Sequence, residues 1–255
     1  MKLFDFKNKK TIDENSEKLY ASSRNFQSAE AKHADGRYIS SEELYDFIAD
    51  FFKPLEQYGF KYLKSKKTFR RTIQEGCDEI AIKFFDHLHY HLDFTFSKRI
   101  DHLQKIITSV EFELGFNSTN DYKQHFTTWV CYGNLVGNRN IEIVSYSVLK
   151  KELPNVLKRI ENEILPYFDK LNSVNFVHQT LNYPEKDNNN PFSYFAQKGT
   201  FESSMVTGLI IAKIVDDPNF DILFNKYLAK NQQNIVLKDK LTKLNEYLKH
   251  KKLEI

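Results

Sequence analysis

The chain has 255 residues, room for one large domain or a domain with an appendage, and its 22 Phe and 14 Tyr supply a largely aromatic core. Its 37 basic and 34 acidic side chains leave a formal charge of +3, too balanced for a dedicated nucleic-acid binder, so any basic surface must be local. Two cysteines, Cys77 and Cys131, fit neither a disulfide framework nor a paired-cysteine metal motif and point to the reducing cytoplasm.

The opening MKLFDFKNKK carries no apolar stretch, and the longest apolar run, GLIIAKIV at 208–215, is interrupted by Lys213. It falls short of the roughly 20 residues that a membrane span requires, so neither an export signal nor a membrane segment is expected. Residues 1–38 are polar with scattered apolar positions and no sustained period, which predicts a mobile N-terminal arm.

At SSEELYDFIADFF the character changes: Ser40 and Glu43 match a capping box, and Leu44, Phe47, Ile48, Phe51, Phe52 and Leu55 fall on one helical stripe. Pro54 is expected to kink or end this helix, with Gly59 as a left-handed terminator. From Phe60 the period shifts to two through FKYLKS, TFRRTIQ, CDEIAIKFF and HLHYHLDFTF, with reversals at Gly76 and around Asp86 and His87. This predicts an antiparallel meander in which Ile80, Ile82 and Phe84 join Leu88, Tyr90, Leu92, Phe94 and Phe96 on a core face beneath the Ser40 helix. His87, His89, His91, Asp93 and Thr95 form the opposite row.

SKRIDHLQKIITSVE reads as a helix leaving the sheet, and HFTTWVCYG and NIEIVSY as two further strands joined by the turn-rich LVGNRN. KKELPNVLKRIENEILPYFDKL is a long helix, with Pro154 suited to an early position and Pro166 predicting a kink near its end. PEKDNNNP at 184–191 has no apolar residue beyond its prolines and marks a linker or exposed loop. Three helical patterns follow, one over GTFESSMVTGLIIAKIV, one capped by Asp217 ahead of Pro218, and one carrying Leu237, Leu241, Leu244 and Leu248. The expected organisation is an arm at 1–38, an α+β domain at 39–183 with an N-terminal helix on a meander sheet and a long helix after it, and a helical extension or subdomain at 192–255.

The histidine row raises the question of a metal. Residues i and i+2 on a strand project to one face about 6.5–7 Å apart, so His89 and His91 have the spacing to share an ion such as zinc. His87 and His91 would stand about 13 Å apart, and the further ligand would have to come from Asp93, His102 or His125, none at a diagnostic spacing. Strand alternation alone also produces this row, as polar residues on a solvated face.

In FKYLKSKKTFRR, the cations Lys61, Lys64, Lys66, Lys67, Arg70 and Arg71 interleave with aromatics and no acid. Such a ribbon holds a nucleic-acid backbone or a macromolecular partner, and lysine-rich hairpins also blunt exposed sheet edges. Arg99 and Asp101 read as a local salt bridge, and KLTKLNEYLKHKKL as a basic amphipathic terminal helix docked through its leucines. No nucleophile elbow, phosphate loop, zinc-protease helix or dinucleotide fingerprint occurs.

The runs LEQYGFKYLKSKKTFRR, DFTFSKRIDHLQKI and ILPYFDKLNSVNFV resemble the uncharacterised bacterial group called domain of unknown function 4304, over about residues 42–182. That resemblance implies an α+β domain without assigned catalytic residues, related to small proteins suspected as immunity factors of toxin systems. Gly59 and Phe60 would then be a helix-to-strand turn and its first core residue, with Pro166, Tyr167 and Phe168 closing the last long helix on the sheet. The expected function is a non-enzymatic, cytoplasmic binding protein with a protein partner, of the immunity or defence type, without cofactor or membrane. The alternatives are a metal-dependent hydrolase or nuclease using His89 and His91, and RNA or single-stranded DNA binding through the basic hairpin.

Overall fold

The computed structural model describes residues 40–86, 90–137, 141–143, 146–194, 196 and 202–253; the predicted N-terminal arm, His87 and His89 lie outside them. The first helix, α1 (Ser41–Phe51), starts where the capping box predicts. The Ser40 hydroxyl accepts from the Glu43 amide at 3.2 Å, and the Glu43 carboxylate accepts from the Ser40 amide at 2.8 Å. Pro54, whose nitrogen has no hydrogen to donate, sits in the first turn of the 3-10 segment Lys53–Tyr58. That segment closes at Gly59 with φ 85°, and Leu44, Ile48, Phe52 and Leu55 are fully buried.

The chain then forms β1 (Lys61–Leu63), β2 (Thr68–Ile73), β3 (Gly76–Asp86) and β4 (Tyr90–Ile100), an antiparallel meander. Two later strands, β5 (Thr128–Cys131) and β6 (Ile141–Ile143), both add to the far edge of β4, in the registers Phe96↔Val130 and Leu92↔Ile141. Among the described residues this makes an open antiparallel sheet of six strands. Its core face carries Phe69, Ile80, Ile82, Leu92, Phe94, Phe96, Val130 and Ile141. Phe52 of α1 meets this face edge-on, 5.3 Å from the Phe94 ring centroid and 6.1 Å from that of Phe69.

The opposite face departs from the solvated row that alternation predicts. Asp93, Ser97, Glu79, Arg99 and Cys77 are all buried there. The short helical turn α2 (Tyr132–Leu135) lies against it, its Gly133 amide donating to Asp93 at 2.9 Å. Farther along, Arg99 donates to the Lys123 carbonyl at 3.0 Å and lies 5.8 Å from the Tyr122 ring centroid. The return loop between β4 and β5 thereby covers a face that strand period alone assigns to water.

After β4 comes α3 (Asp101–Glu113), which starts later than the sequence pattern suggests because Ser97 and Lys98 stay in the sheet opposite Trp129 and Thr128. The long helical region is α4 (Tyr146–Arg159), a π turn at Ile160–Ile164, and α5 (Leu165–Lys170). Pro154 is interior to α4 rather than early in it, since the helix begins soon after β6. Ahead of Pro166 the Leu165 amide reaches back to the Ile160 carbonyl, so the extra residue of the π turn takes up the disruption that the proline causes.

Next is α6 (Val174–Asn182), followed by the segment expected to be an exposed loop. That segment is tied down: Asn190 donates to the Thr180 hydroxyl at 2.8 Å, Tyr167 donates to Asp187 at 2.9 Å, and Phe192 is buried against Phe168. Helix α7 (Glu202–Ile214) is buried on all sides from Met205 to Ala212, the signature of a central helix. It packs against α6, α3, α8 (Phe220–Lys230) and α9 (Ile235–His250). The buried Leu237, Leu241, Leu244 and Leu248 of α9 join the same apolar cluster as the sheet core. Asp217 stands ahead of α8, whose N-cap is Asn219, instead of capping it. Among the described residues no helix is long and apolar enough to cross a membrane.

Candidate functional site

The six cations of the basic hairpin divide into two sets. Arg71 donates to Asp78 and to Asp169 at 2.8 Å each, Arg70 donates to Glu79 at 2.7 Å, and Lys67 pairs with Glu42 while lying 4.7 Å over the Tyr45 ring. These three side chains are turned into the body of the molecule, against β3, α5 and α1. Lys61, Lys64 and Lys66 are exposed; Lys64 reaches Asp46 at 2.9 Å in a contact open to water on both sides, the kind worth at most about 1 kcal/mol. Among the described residues no strand pairs with the outer edge of β1. The result is a hairpin with Lys61 exposed on its outer strand and Lys64 and Lys66 exposed on its turn, backed by acids that the local sequence window does not contain.

Beneath the hairpin lies a buried ionic knot. Lys98 and Asp78 have no solvent exposure; the Lys98 ammonium is 2.8 Å from Asp78 and donates to the Phe168 carbonyl at 3.0 Å and to Asn172 at 2.7 Å. The ammonium thus makes two hydrogen bonds and one ion pair. Burial pulls the Lys98 pKa down, and the charge of Asp78 opposes that pull. This lysine anchors the sheet to the end of α5.

His91 lies on β4 opposite Phe85 and Glu142, and its row faces away from Phe94. Asp93, a supporting ligand in the metal reading, is engaged by the amides of Phe94 and Gly133 at 2.8 and 2.9 Å. Among the described residues no three His, Cys, Asp or Glu side chains are grouped to hold a metal ion. Cys131 on the same face is a poor nucleophile, because burial, followed by the nearby Asp93 charge, pushes its thiol up to about 11.

A His-Asp pair that no spacing announced occurs at His178 and Asp217, 2.8 Å apart. Asn182 donates its amide to the Gly208 carbonyl and to His178 Nδ1, each at 2.8 Å, so Nδ1 must accept and Nε2 must carry the proton toward Asp217. Tyr183 donates to the same Asp217 oxygen at 2.6 Å, and Tyr227 donates to Asn182 at 2.7 Å. With both ring nitrogens engaged, this histidine holds α6, α7 and α8 together.

The concave feature with unspent polar capacity is elsewhere, between α3, the 117–129 segment and the start of α7. It is a cleft of about 240 Å³ lined by Gln104, Glu111, His125, Trp129, Ser203 and Thr207 among others. Its floor is a chain of hydrogen bonds in which the Ile100 amide donates to Thr127 at 3.0 Å and Thr127 donates to Gln104 at 3.2 Å. The Nε2 atom of His125 is buried without a hydrogen-bond partner. Glu111 receives one side-chain hydrogen bond, from Asn117 at 2.5 Å, and burial pushes its carboxyl up to about 7 against the opposing pull of Asn117 and Lys240. A second hollow of about 400 Å³ shares Glu111, Asn117 and Ser203 and continues to Phe116, Glu202 and Lys240. These residues come from segments far apart in sequence, and none sits at a motif spacing.

Searches of family models, curated proteins and solved structures return no match. The class the coordinates define is an α+β protein, an open antiparallel sheet with a long helix after it and further helices at the C-terminal end.

Proposed function

We propose that this is a cytoplasmic bacterial binding protein of the immunity or defence type, without catalytic activity of its own, which docks an acidic protein partner on the β1–β2 edge. The supporting observation is the split of the hairpin cations: the inner three pair with acids of the body, while Lys61 stands exposed on β1, whose outer edge no described strand covers, and Lys64 and Lys66 stand exposed on the turn that follows it. A positive ribbon held to the body by internal ion pairs steers an acidic surface toward it. With Glu42, Glu79, Asp78 and Asp169 neutralising the inner cations, the charge left on the ribbon is that of a few lysines, short of the continuous basic track that a nucleic-acid backbone calls for.

The test is co-expression with the product of the neighbouring reading frame, scored by growth and by co-purification. Protection by the unaltered protein, lost in a K61E/K64E/K66E variant whose stability stays within about 1 kcal/mol of the parent, is the expected outcome. Equal protection by the triple variant, or no protection and no complex with the unaltered protein, overturns the reading.

A further inference from the structure

We propose that the cleft between α3 and α7 binds a small organic cation, a primary amine whose ammonium group pairs with Glu111. The site is independent of the hairpin reading, since the two lie on different elements.

The chemistry of the lining selects this class. Glu111 is the acid common to both hollows, and its single side-chain donor, Asn117, leaves carboxylate lone pairs for a ligand. Around it are oxygen acceptors: the carboxamides of Gln104, Asn117 and Gln124 and the hydroxyls of Ser203, Ser204 and Thr207. An ammonium needs such acceptors for its three protons, and the rings of Phe126 and Trp129 lining the cleft and Phe116 lining the adjoining hollow favour a cation over an anion. His125, also in the lining, has an Nε2 that is buried without a hydrogen-bond partner. The cation in the adjoining lining, Lys240, is paired with Glu202 and acts on Glu111 at longer range.

The same surroundings explain the protonation of Glu111. A carboxyl removed from water, with an amide as its hydrogen-bond donor and Lys240 at longer range, holds its proton to about 7. The charged groups around it are Lys240 on α9 and Glu202 on α7, with the imidazole of His125 on the return loop. An incoming ammonium stabilises the ionised form, so binding expels the carboxyl proton below neutral pH. Affinity therefore rises with pH up to about 7 and levels off above it.

The test is calorimetric titration of the full chain with putrescine, using butanediol as the uncharged control of the same length and guanosine as a planar neutral control. Saturable putrescine binding is expected, with proton release at pH 6 measured in two buffers of different ionisation heat, and affinity about tenfold weaker at pH 6 than at pH 8. Glu111→Gln should lose at least about tenfold in affinity and all of the proton release. That variant removes a poorly solvated acid and should melt no lower than the parent at pH 8. Ser203→Lys, which places a competing ammonium at the wall shared by both hollows, should also abolish binding. Equal binding of butanediol, a preference for guanosine, no binding of putrescine, or undiminished binding by Glu111→Gln would each overturn the proposal.

Discussion

Lys98 is a cation set within the core face of the sheet. It stands in the same sheet row as Phe94 and Phe96, yet carries a charge at zero exposure. Removing Lys98 takes the donor from the buried Phe168 carbonyl and from Asn172, with Arg71 as the remaining counter-charge of Asp78: Lys98→Ala should cost about 3 kcal/mol in urea unfolding, and Lys98→Met, which refills the volume, should recover part of it. His178 carries a second expectation, with its sign set by linkage. Burial lowers its pKa below 6.5, with Asp217 pulling the other way, so the unfolded chain takes up a proton that the folded chain resists. Stability from this site is complete above pH 6.5 and declines as pH falls toward the lowered folded value. Asp217 extends the acid loss lower still: burial raises its pKa, but the Tyr183, Asn219 and His178 hydrogen bonds outweigh that and leave it below 3.8. Stability curves of His178→Gln should be flatter than the parent's between pH 6.5 and its acid transition. None of this is visible in a local window, because Lys98 meets Phe168 and His178 meets Asp217 only after the chain has turned several times.

At the scale of elements, the α6–α7 contact shows how helices approach around a glycine. A Cβ on Gly208 would lie 2.6 Å from Asn182 Oδ1 and 3.4 Å from the Tyr227 hydroxyl, the atoms that lock His178. Gly208→Ala should cost about 1–3 kcal/mol by overpacking even though alanine is the better helix former, and the loss should be read in thermal melting. Elements with strong internal periodicity were legible beforehand: α1 with its capping box, β3 and β4 with their alternation, and α9 with its leucines. Less legible were the start of α4, which takes Pro154 into its interior, and the true cap of α8. The strand segments carrying β5 and β6 were recognisable, but not that they would share one edge of β4. A three- or four-residue strand is stabilised by its partner rather than by its own pattern, so its pairing is decided outside its own sequence.

At the scale of the molecule, the apolar cluster runs without interruption from the α1–sheet interface to α9. A chain ending at Lys230 would expose the side of α7 that α9 covers and lose four fully buried leucines worth about 1.5–3 kcal/mol each. It is expected to lose its cooperative transition and its near-ultraviolet circular dichroism, which a melt of the truncated chain would check. Of the candidate site, the six hairpin cations were readable from their density, while the acids opposite them were not. The cleft around Glu111 and His125 left no trace in the sequence. What the sequence determined by itself was the kind of element at most positions and which stripe of each is apolar, because periods of 3.6 and 2 follow from backbone geometry. The tertiary structure alone decided which polar groups are buried together, since an ion pair, an unpartnered imidazole or a desolvated carboxyl is a property of neighbours that folding brings from elsewhere in the chain.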